Sequence, residues 1–203
     1  TDWIRQAQRR WTPKPPPGVP MCVIAADVAR GGDDKTVVAW RHDGWYAPLV
    51  SVPGVETPTG NEVAGLIIAN RRDQAQVVID MGGGYGGSPF DCLESNGIKS
   101  IPYKGAEGSS DRTKDRTLGF TNKRSEAWWK FREALDPAQD GGSPVALPDD
   151  PELLADLTAP TTHRRSWRIQ QIYNAHQEEL HYCRSPVLLV LPQLVVTAQR
   201  RCS

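Results

Sequence analysis

Two apolar segments of the chain each end in an aspartate that runs directly into a glycine-containing turn. One is VIAADVARGG, with Asp27, and the other is VVIDMGGGYGG, with Asp80. Unbroken apolar runs of this length are typical of strands covered on both faces, where a carboxylate is unfavourable unless its charge is compensated. A single aspartate at a strand end is most often a turn residue. Two aspartates in matched positions instead favour a site that both side chains share.

A shared site for two carboxylates predicts a divalent cation. If the two strands are parallel neighbours, about 4.8 Å apart, their terminal side chains come within reach of one ion. Carboxylates that close repel each other unless a cation lies between them. Mg²⁺ takes oxygen ligands of this kind, and a pair of ions about 4 Å apart can activate water against a phosphodiester. The cations available to hold phosphates are Arg30, Lys35 and Lys104.

The glycines offer a second interpretation, a dinucleotide-binding turn. Gly82, Gly84 and Gly87 fit the pattern G-x-G-x-x-G after a strand and before a helix. However, Asp80 lies two residues before the first of them, where its charge would repel a pyrophosphate. Lys104 stands where that fold would place an acid, about 20 residues further on. The chain also has no P-loop pattern, so we reject nucleotide binding.

The remaining sequence pattern predicts an α/β fold. Short apolar strands and amphipathic helices alternate in the order β-β-β-α-β-α-β-α, opening with a hairpin whose turn is His42-Asp43-Gly44. This order predicts a mixed five-stranded sheet with helices on both faces. We expect three regions: a helix and proline-rich linker at 1–19, the main domain at 20–160, and an atypical tail at 161–203.

Charge and hydropathy exclude some classes of protein. Lys and Arg together number 24, as do Asp and Glu, so net charge alone does not indicate a nucleic-acid binder. The longest apolar stretch, 187–196, is too short to cross a bilayer and contains a proline. We therefore expect no membrane span. The lack of a signal-peptide pattern favours the cytoplasm.

At the level of motifs, the chain resembles the C-terminal nuclease domain of phage large terminase subunits, which has an RNase H-like fold. The matching stretches, besides the two aspartate segments, are SIPYKGAEGSS, LGFTNKRSEAWWKFREALDP and ALPDDPELLADLTAP. The resemblance implies an endonuclease that cuts double-stranded DNA during genome packaging in the host cell cytoplasm, using Mg²⁺ or Mn²⁺ held by Asp27 and Asp80. It also implies an upstream ATPase domain, a small terminase subunit and a portal as partners.

Basic residues near this site are the expected DNA contacts. The polar segment 105–121 fits a solvated surface loop and a DNA-contacting loop equally well. The full set of candidate DNA-binding residues is Arg30, Lys35, Lys104, Arg112, Lys114, Arg116, Lys123 and Arg124.

One departure from the family concerns a third metal-binding aspartate near the C-terminus. In this chain CRSPVLLVLPQLVV carries no acid, and neither the hairpin nor the helix expected after Thr161 is recognisable. Asp149, Asp150 and Asp156 are weak candidates for a third ligand, because helix signals around them suggest capping and surface roles. We expect at most one well-occupied ion, held by Asp27 and Asp80, and cleavage that is weak or absent. The alternative is a catalytically impaired domain that still binds DNA or packaging partners.

Overall fold

The structure is a computed structural model that describes residues 1–29 and 34–159, and the backbone of 161–165 and 168–172. The helices in these ranges are α1 (Asp2–Arg10), α2 (Gly60–Asn70), α3 (Gly87–Ser95), α4 (Lys123–Leu135) and α5 (Pro151–Thr158). The strands are β1 (Val23–Asp27), β2 (Lys35–His42), β3 (Trp45–Tyr46), β4 (Val50–Pro53), β5 (Gln76–Asp80), β6 (Ser100–Tyr103), β7 (Gly119–Phe120), β8 (Thr161–Arg165) and β9 (Arg168–Ile172).

The central sheet is mixed, as the sequence predicted. Its strand order is β3-β2-β1-β5-β6, with β4 also paired to β2. The β1–β2 pair is antiparallel, whereas β1–β5 and β5–β6 are parallel. Parallel pairing brings the carboxyl ends of β1, β5 and β6 to one edge of the sheet.

The sixth strand arises because one predicted strand is interrupted. We expected a single strand after the hairpin turn, but β3 and β4 both pair antiparallel with β2. The register shifts by one residue between Arg41↔Tyr46 and Val38↔Val50, which is the signature of a β-bulge. Pro48 lies in the interruption, where its missing N–H group cannot join the ladder.

Helices cover both faces of this sheet, as predicted. Alternate residues of β1 and β5 enter two separate apolar clusters. On one face Ala25 and Val78 pack in a cluster with side chains of α1, α4 and α5. On the other face Ala26 and Ile79 pack with α2 and α3. We call the first of these the α4 face.

Local signals fixed the helix ends where capping residues were present. Thr59 caps α2 and forms a capping box with Glu62. Asp150 caps α5 through hydrogen bonds from the backbone N–H groups of Glu152 and Leu153. Gly97 follows α3 with a φ of 73°, a left-handed conformation that suits glycine.

The N-terminal helix packs against the main core. Ile4 and Ala7 of α1 are buried in the cluster on the α4 face. Just after the helix, the Trp11 indole Nε1 donates a hydrogen bond to the Tyr46 carbonyl at 2.8 Å, and its ring stacks on Trp45. These contacts attach α1 to the sheet through apolar surface rather than through the proline-rich segment alone.

A hairpin is present where the sequence showed none. Strands β8 and β9 pair antiparallel, and β9 also pairs parallel with β7 to form a small second sheet. The hairpin was missed because its sequence, TTHRRSWRIQQI, has no glycine or Asn-Gly turn signal and only two aliphatic residues. Residues 173–203, including the apolar stretch 187–196, lie outside the described ranges. No helix in the part described is long and apolar enough to cross a membrane.

Candidate functional site

The two aspartates singled out by the sequence end neighbouring parallel strands. The β1–β5 register pairs Val23 with Gln76 and continues to Ala26 with Ile79. The next residue on each strand is Asp27 and Asp80, respectively. The predicted adjacency is therefore confirmed, and the pair occupies the carboxyl edge of the sheet.

Both side chains lie on the α4 face. Successive side chains of a strand alternate between faces, so residues two apart share a face. Ala25 and Val78 are in the cluster on the α4 face, which puts Asp27 and Asp80 on that same face. The two carboxyl groups thus share a strand end and a face, which is the condition for binding one ion together.

Burial and mutual repulsion perturb Asp27. Burial is the largest cause and the negative charge of Asp80 the second, and together they raise the pKa of Asp27 from 3.8 to about 7. A hydrogen bond from the Val28 backbone and the positive charge of Arg124 act in the opposite direction. The protein alone therefore holds this carboxyl near its midpoint at neutral pH, and a bound cation would favour its ionised form.

Asp80 is almost fully buried, with 3% of its surface exposed. Its Oδ1 accepts a hydrogen bond from the Gly82 backbone N–H at 2.7 Å. A Cβ atom added to Gly86 would collide with the Asp80 carbonyl oxygen. The glycine run therefore allows the backbone to fold closely around Asp80, which accounts for the glycines without a nucleotide.

The neighbouring strand and helix complete the surroundings of the pair. Tyr103, the last residue of β6, is the cross-strand partner of Asp80. Gly105 follows shortly after, and its carbonyl oxygen accepts a hydrogen bond from the Arg124 backbone N–H at 2.9 Å. The N-terminal turn of α4 thus begins beside the strand end that carries Asp80.

The predicted DNA-binding cations occupy different environments. Lys35 is exposed at the start of β2, and Lys104 is exposed in a 3.9 Å ion pair with Glu107. Lys123 forms a 2.9 Å ion pair with the buried Glu126. Exposed cations on the polar segment 105–121 are Arg112, Lys114 and Arg116. Arg30 lies outside the described residues.

Much of the polar segment 105–121 is exposed, but it is not wholly the predicted surface loop, since Thr113 is buried and the segment ends in the buried strand β7. Hydrogen bonds also anchor it to α4. The Ser109 hydroxyl donates to Glu126 Oε2 at 2.6 Å, and Lys130 pairs with Asp111. The Lys114 backbone N–H donates to Glu133 Oε1 at 2.9 Å. This anchoring was not predicted, because the α4 side chains that provide it, Glu126, Lys130 and Glu133, are ordinary helix residues in the sequence.

None of the weak candidates for a third ligand gains support as a metal ligand. Asp150 caps α5, Asp149 is exposed, and Asp156 lies on α5. Within the described ranges, no three His, Cys, Asp or Glu side chains are grouped in a way that could hold a metal. Asp34 was not predicted as a site residue, but its negative charge also raises the pKa of Asp27. Its position in an acidic turn gave no signal beyond that of a solvated loop.

Comparison with solved structures identifies the fold. The nuclease domain of the large terminase subunit gp2 of bacterial virus Sf6 is 17% identical to this chain, with a TM-score of 0.69 over 96% of each chain. Mutants of that domain solved with manganese and beta-thujaplicinol, and with calcium, are each 18% identical, with TM-scores of 0.65 over 96% of this chain and 95% of theirs. Searches found no matching family model and no matching curated protein. The chain therefore has the RNase H-like fold of that nuclease domain.

Proposed function

We propose that the chain is the nuclease domain of a phage terminase large subunit, a metal-dependent endonuclease that hydrolyses double-stranded DNA during genome packaging. The observation that carries the proposal is the Asp27–Asp80 pair, which shares one face at the carboxyl ends of two parallel strands. The fold shared with the gp2 nuclease domain supports the same conclusion, and so do the motifs at both strand ends.

The residues present fit a divalent cation. The buried Asp80 and the partly buried Asp27 repel each other and lose hydration, so an ion between them offsets both costs. Oxygen ligands of this type suit Mg²⁺ and Mn²⁺. Structures of the gp2 domain contain manganese or calcium, which is consistent with divalent metal use in this fold.

The chemistry divides between the ion and the side chains. When bound, the ion would activate water and neutralise charge on the phosphodiester. Asp27 and Asp80 would hold it through their carboxylate oxygens, and Asp27 would release its proton on binding. The hydrogen bond from Gly82 fixes the orientation of the Asp80 carboxylate. Basic residues after β6 and in the first turn of α4 would supply positive charge for the DNA backbone.

We also propose that a single ion is well occupied and that cleavage is weak. A second ion about 4 Å from the first generally requires another anionic ligand. In the part of the chain described, no third acid joins the pair. Asp149 and Asp156 remain weak candidates, and Asp150 is engaged as a helix cap.

The cations at the surface would bind the DNA backbone. Exposed Lys35, Lys104 and the three cations of segment 105–121 would neutralise phosphates without reading sequence. Further partners follow from the terminase assignment: an upstream ATPase domain, a small terminase subunit and a portal, all in the host cell cytoplasm.

Nicking of supercoiled plasmid tests the function. We expect slow nicking with Mn²⁺ or Mg²⁺, none with a chelator, and none by Asp80→Asn, which removes charge but preserves volume. Asp91→Asn is the matched control, since Asp91 is exposed on α3, and that helix covers the face of the sheet opposite the aspartate pair. Nicking that survives Asp80→Asn would mean that the site lies elsewhere. DNA binding without nicking by the wild-type chain would favour the catalytically impaired alternative.

A further inference from the structure

The first turn of α4 is fixed at the end of β6. The Asn122 side chain caps the helix by accepting a hydrogen bond from the Ser125 backbone N–H at 2.9 Å. The backbone N–H groups of Lys123 and Arg124 donate to the carbonyl oxygens of Glu107 and Gly105, at 2.8 Å and 2.9 Å. The position of the helix start relative to the strand end is therefore set by backbone hydrogen bonds.

The Arg124 side chain lies over Gly105, beside Tyr103. A Cβ atom added to Gly105 would be 3.3 Å from Arg124 Nε, 3.5 Å from Arg124 Cβ and 3.4 Å from Tyr103 Cε1. Tyr103 is on the α4 face and pairs with Asp80 on the next strand. The stem of Arg124 thus lies one strand away from Asp80, on the face to which both aspartates point.

The guanidinium group is incompletely paired in this position. Arg124 Nε is buried and has no hydrogen-bond partner among the described residues. A buried N–H group without a partner is unfavourable, and a bound water, ion or ligand can satisfy it. The charge of Arg124 also acts on Asp27, whose pKa it lowers. The guanidinium group of Arg124 is therefore within electrostatic reach of Asp27.

Two lysines close to the start of α4 are engaged differently from Arg124. Lys123 is paired with the buried Glu126, and Lys104 is exposed and paired with Glu107. Arg124 combines a buried, unpaired Nε donor with a charge that acts on Asp27. A guanidinium fork also matches the geometry of a phosphate better than an ammonium group does.

We propose that Arg124 binds the phosphate of the DNA strand positioned at the Asp27–Asp80 pair, and that it is distinct from the exposed cations that bind backbone elsewhere. This inference rests on the proposed nuclease function and deepens it. It predicts effects of opposite sign on two ligands, because Arg124 attracts the anionic phosphate and repels the metal cation.

Titration of Mn²⁺ into the metal-free protein, and of a short labelled duplex in the presence of Ca²⁺, tests the inference. In Arg124→Gln we expect Mn²⁺ affinity to rise by roughly threefold to tenfold, since a nearby positive charge has been removed. We expect duplex affinity to fall by roughly tenfold. Arg124→Lys keeps the charge, so its Mn²⁺ affinity should stay near the wild-type value while its duplex affinity falls.

Lys99→Gln is the matched control. Lys99 is exposed just before β6, at the opposite edge of the sheet, and its loss removes the same charge. It should change neither affinity by more than about twofold. If circular dichroism shows that Arg124→Gln does not fold, Arg124→Lys still tests the loss of duplex affinity.

The outcomes separate this inference from the function on which it rests. Wild-type protein that binds no Mn²⁺ would overturn both. If the wild-type protein binds Mn²⁺ but Arg124→Gln binds it equally well or more weakly, only the role of Arg124 is overturned. Weaker binding is what we expect if Arg124 serves only to hold the structure of the site together. Unchanged duplex affinity in both Arg124 variants would overturn it as well.

Discussion

At the residue scale, Asp27 makes stability depend on pH. Its pKa is about 7 in the folded protein against 3.8 as the ordinary value, because burial and Asp80 favour the protonated form. A raised folded-state pKa gives stability that is fully present below about pH 4 and is lost as pH rises through about 7. We expect the metal-free protein to lose on the order of 3 kcal/mol of unfolding free energy across this window. Urea unfolding at several pH values measures it.

The control for this dependence is Asp27→Asn. An amide cannot titrate, so most of the slope between about pH 4 and pH 7 should disappear. Asp91→Asn, which removes an exposed carboxylate, should keep the wild-type slope. An unchanged slope in Asp27→Asn would show that another group titrates in this window.

The same proton competes with the metal. Because binding requires ionised Asp27, Mn²⁺ affinity should fall by about tenfold for each pH unit below about 7, where one proton is displaced. Calorimetric titration at several pH values, in buffers of different ionisation enthalpy, reports both the affinity and the protons released. Affinity that is flat between about pH 5 and pH 7 would contradict a role for Asp27 as a ligand.

At the scale of elements, Glu126 joins α4 to the surface segment 105–121. Only 2% of Glu126 is exposed, and it accepts hydrogen bonds from Lys123 and Ser109 and forms a 3.2 Å ion pair with Lys130. Glu126→Ala removes the carboxylate partner of Lys123 and one of the two carboxylate partners of Lys130, so we expect a loss of about 3–5 kcal/mol of unfolding free energy. Urea unfolding measures the loss.

Limited proteolysis gives a second measurement of the same change. Without Glu126, cleavage within segment 105–121 should become faster because an anchor to α4 is lost. Glu56→Ala is the control, since Glu56 is exposed in a short 3-10 turn and should alter neither result. A loss below about 1 kcal/mol in Glu126→Ala would contradict the anchoring role.

Elements with strong local signals could be predicted from sequence, and elements defined by pairing could not. The aspartate strands, the hairpin turn at Asp43 and the cap at Asp150 each carry their signal within a few residues. The bulge that divides β3 from β4 depends on register with β2. The hairpin β8–β9 depends on β7, a two-residue strand far away in sequence. Such long-range pairing leaves little trace in local pattern.

The candidate site, too, could be predicted only where its residues carry a local signal. Matched strand ends predicted that Asp27 and Asp80 lie together, because parallel neighbours share an edge. The position of Arg124 could not be predicted, since it depends on how α4 packs across the sheet and on the space left by Gly105. Sequence placed Arg124 among eight candidate cations and gave no reason to distinguish it.

At the scale of the whole molecule, one core on the α4 face extends from α1 to α5. Ile4 is 6% exposed and packs in the same cluster as the strands that carry the aspartates. Ile4→Ala should therefore cost about 2–5 kcal/mol of unfolding free energy, as for other core truncations. Arg5→Ala, at an exposed position on the same helix, should cost less than about 0.5 kcal/mol. Equal effects in urea unfolding would mean that α1 does not belong to the core.

The most direct test of the central claim is a crystal structure of the domain soaked with Mn²⁺, with anomalous scattering used to place the metal. We expect one strong peak between the carboxylates of Asp27 and Asp80, at distances of about 2.0–2.3 Å from their oxygens. The same soak of Asp80→Asn should lose the peak. A strong peak held by other residues, or none at the pair under saturating Mn²⁺, would contradict the assignment of these aspartates as the metal site.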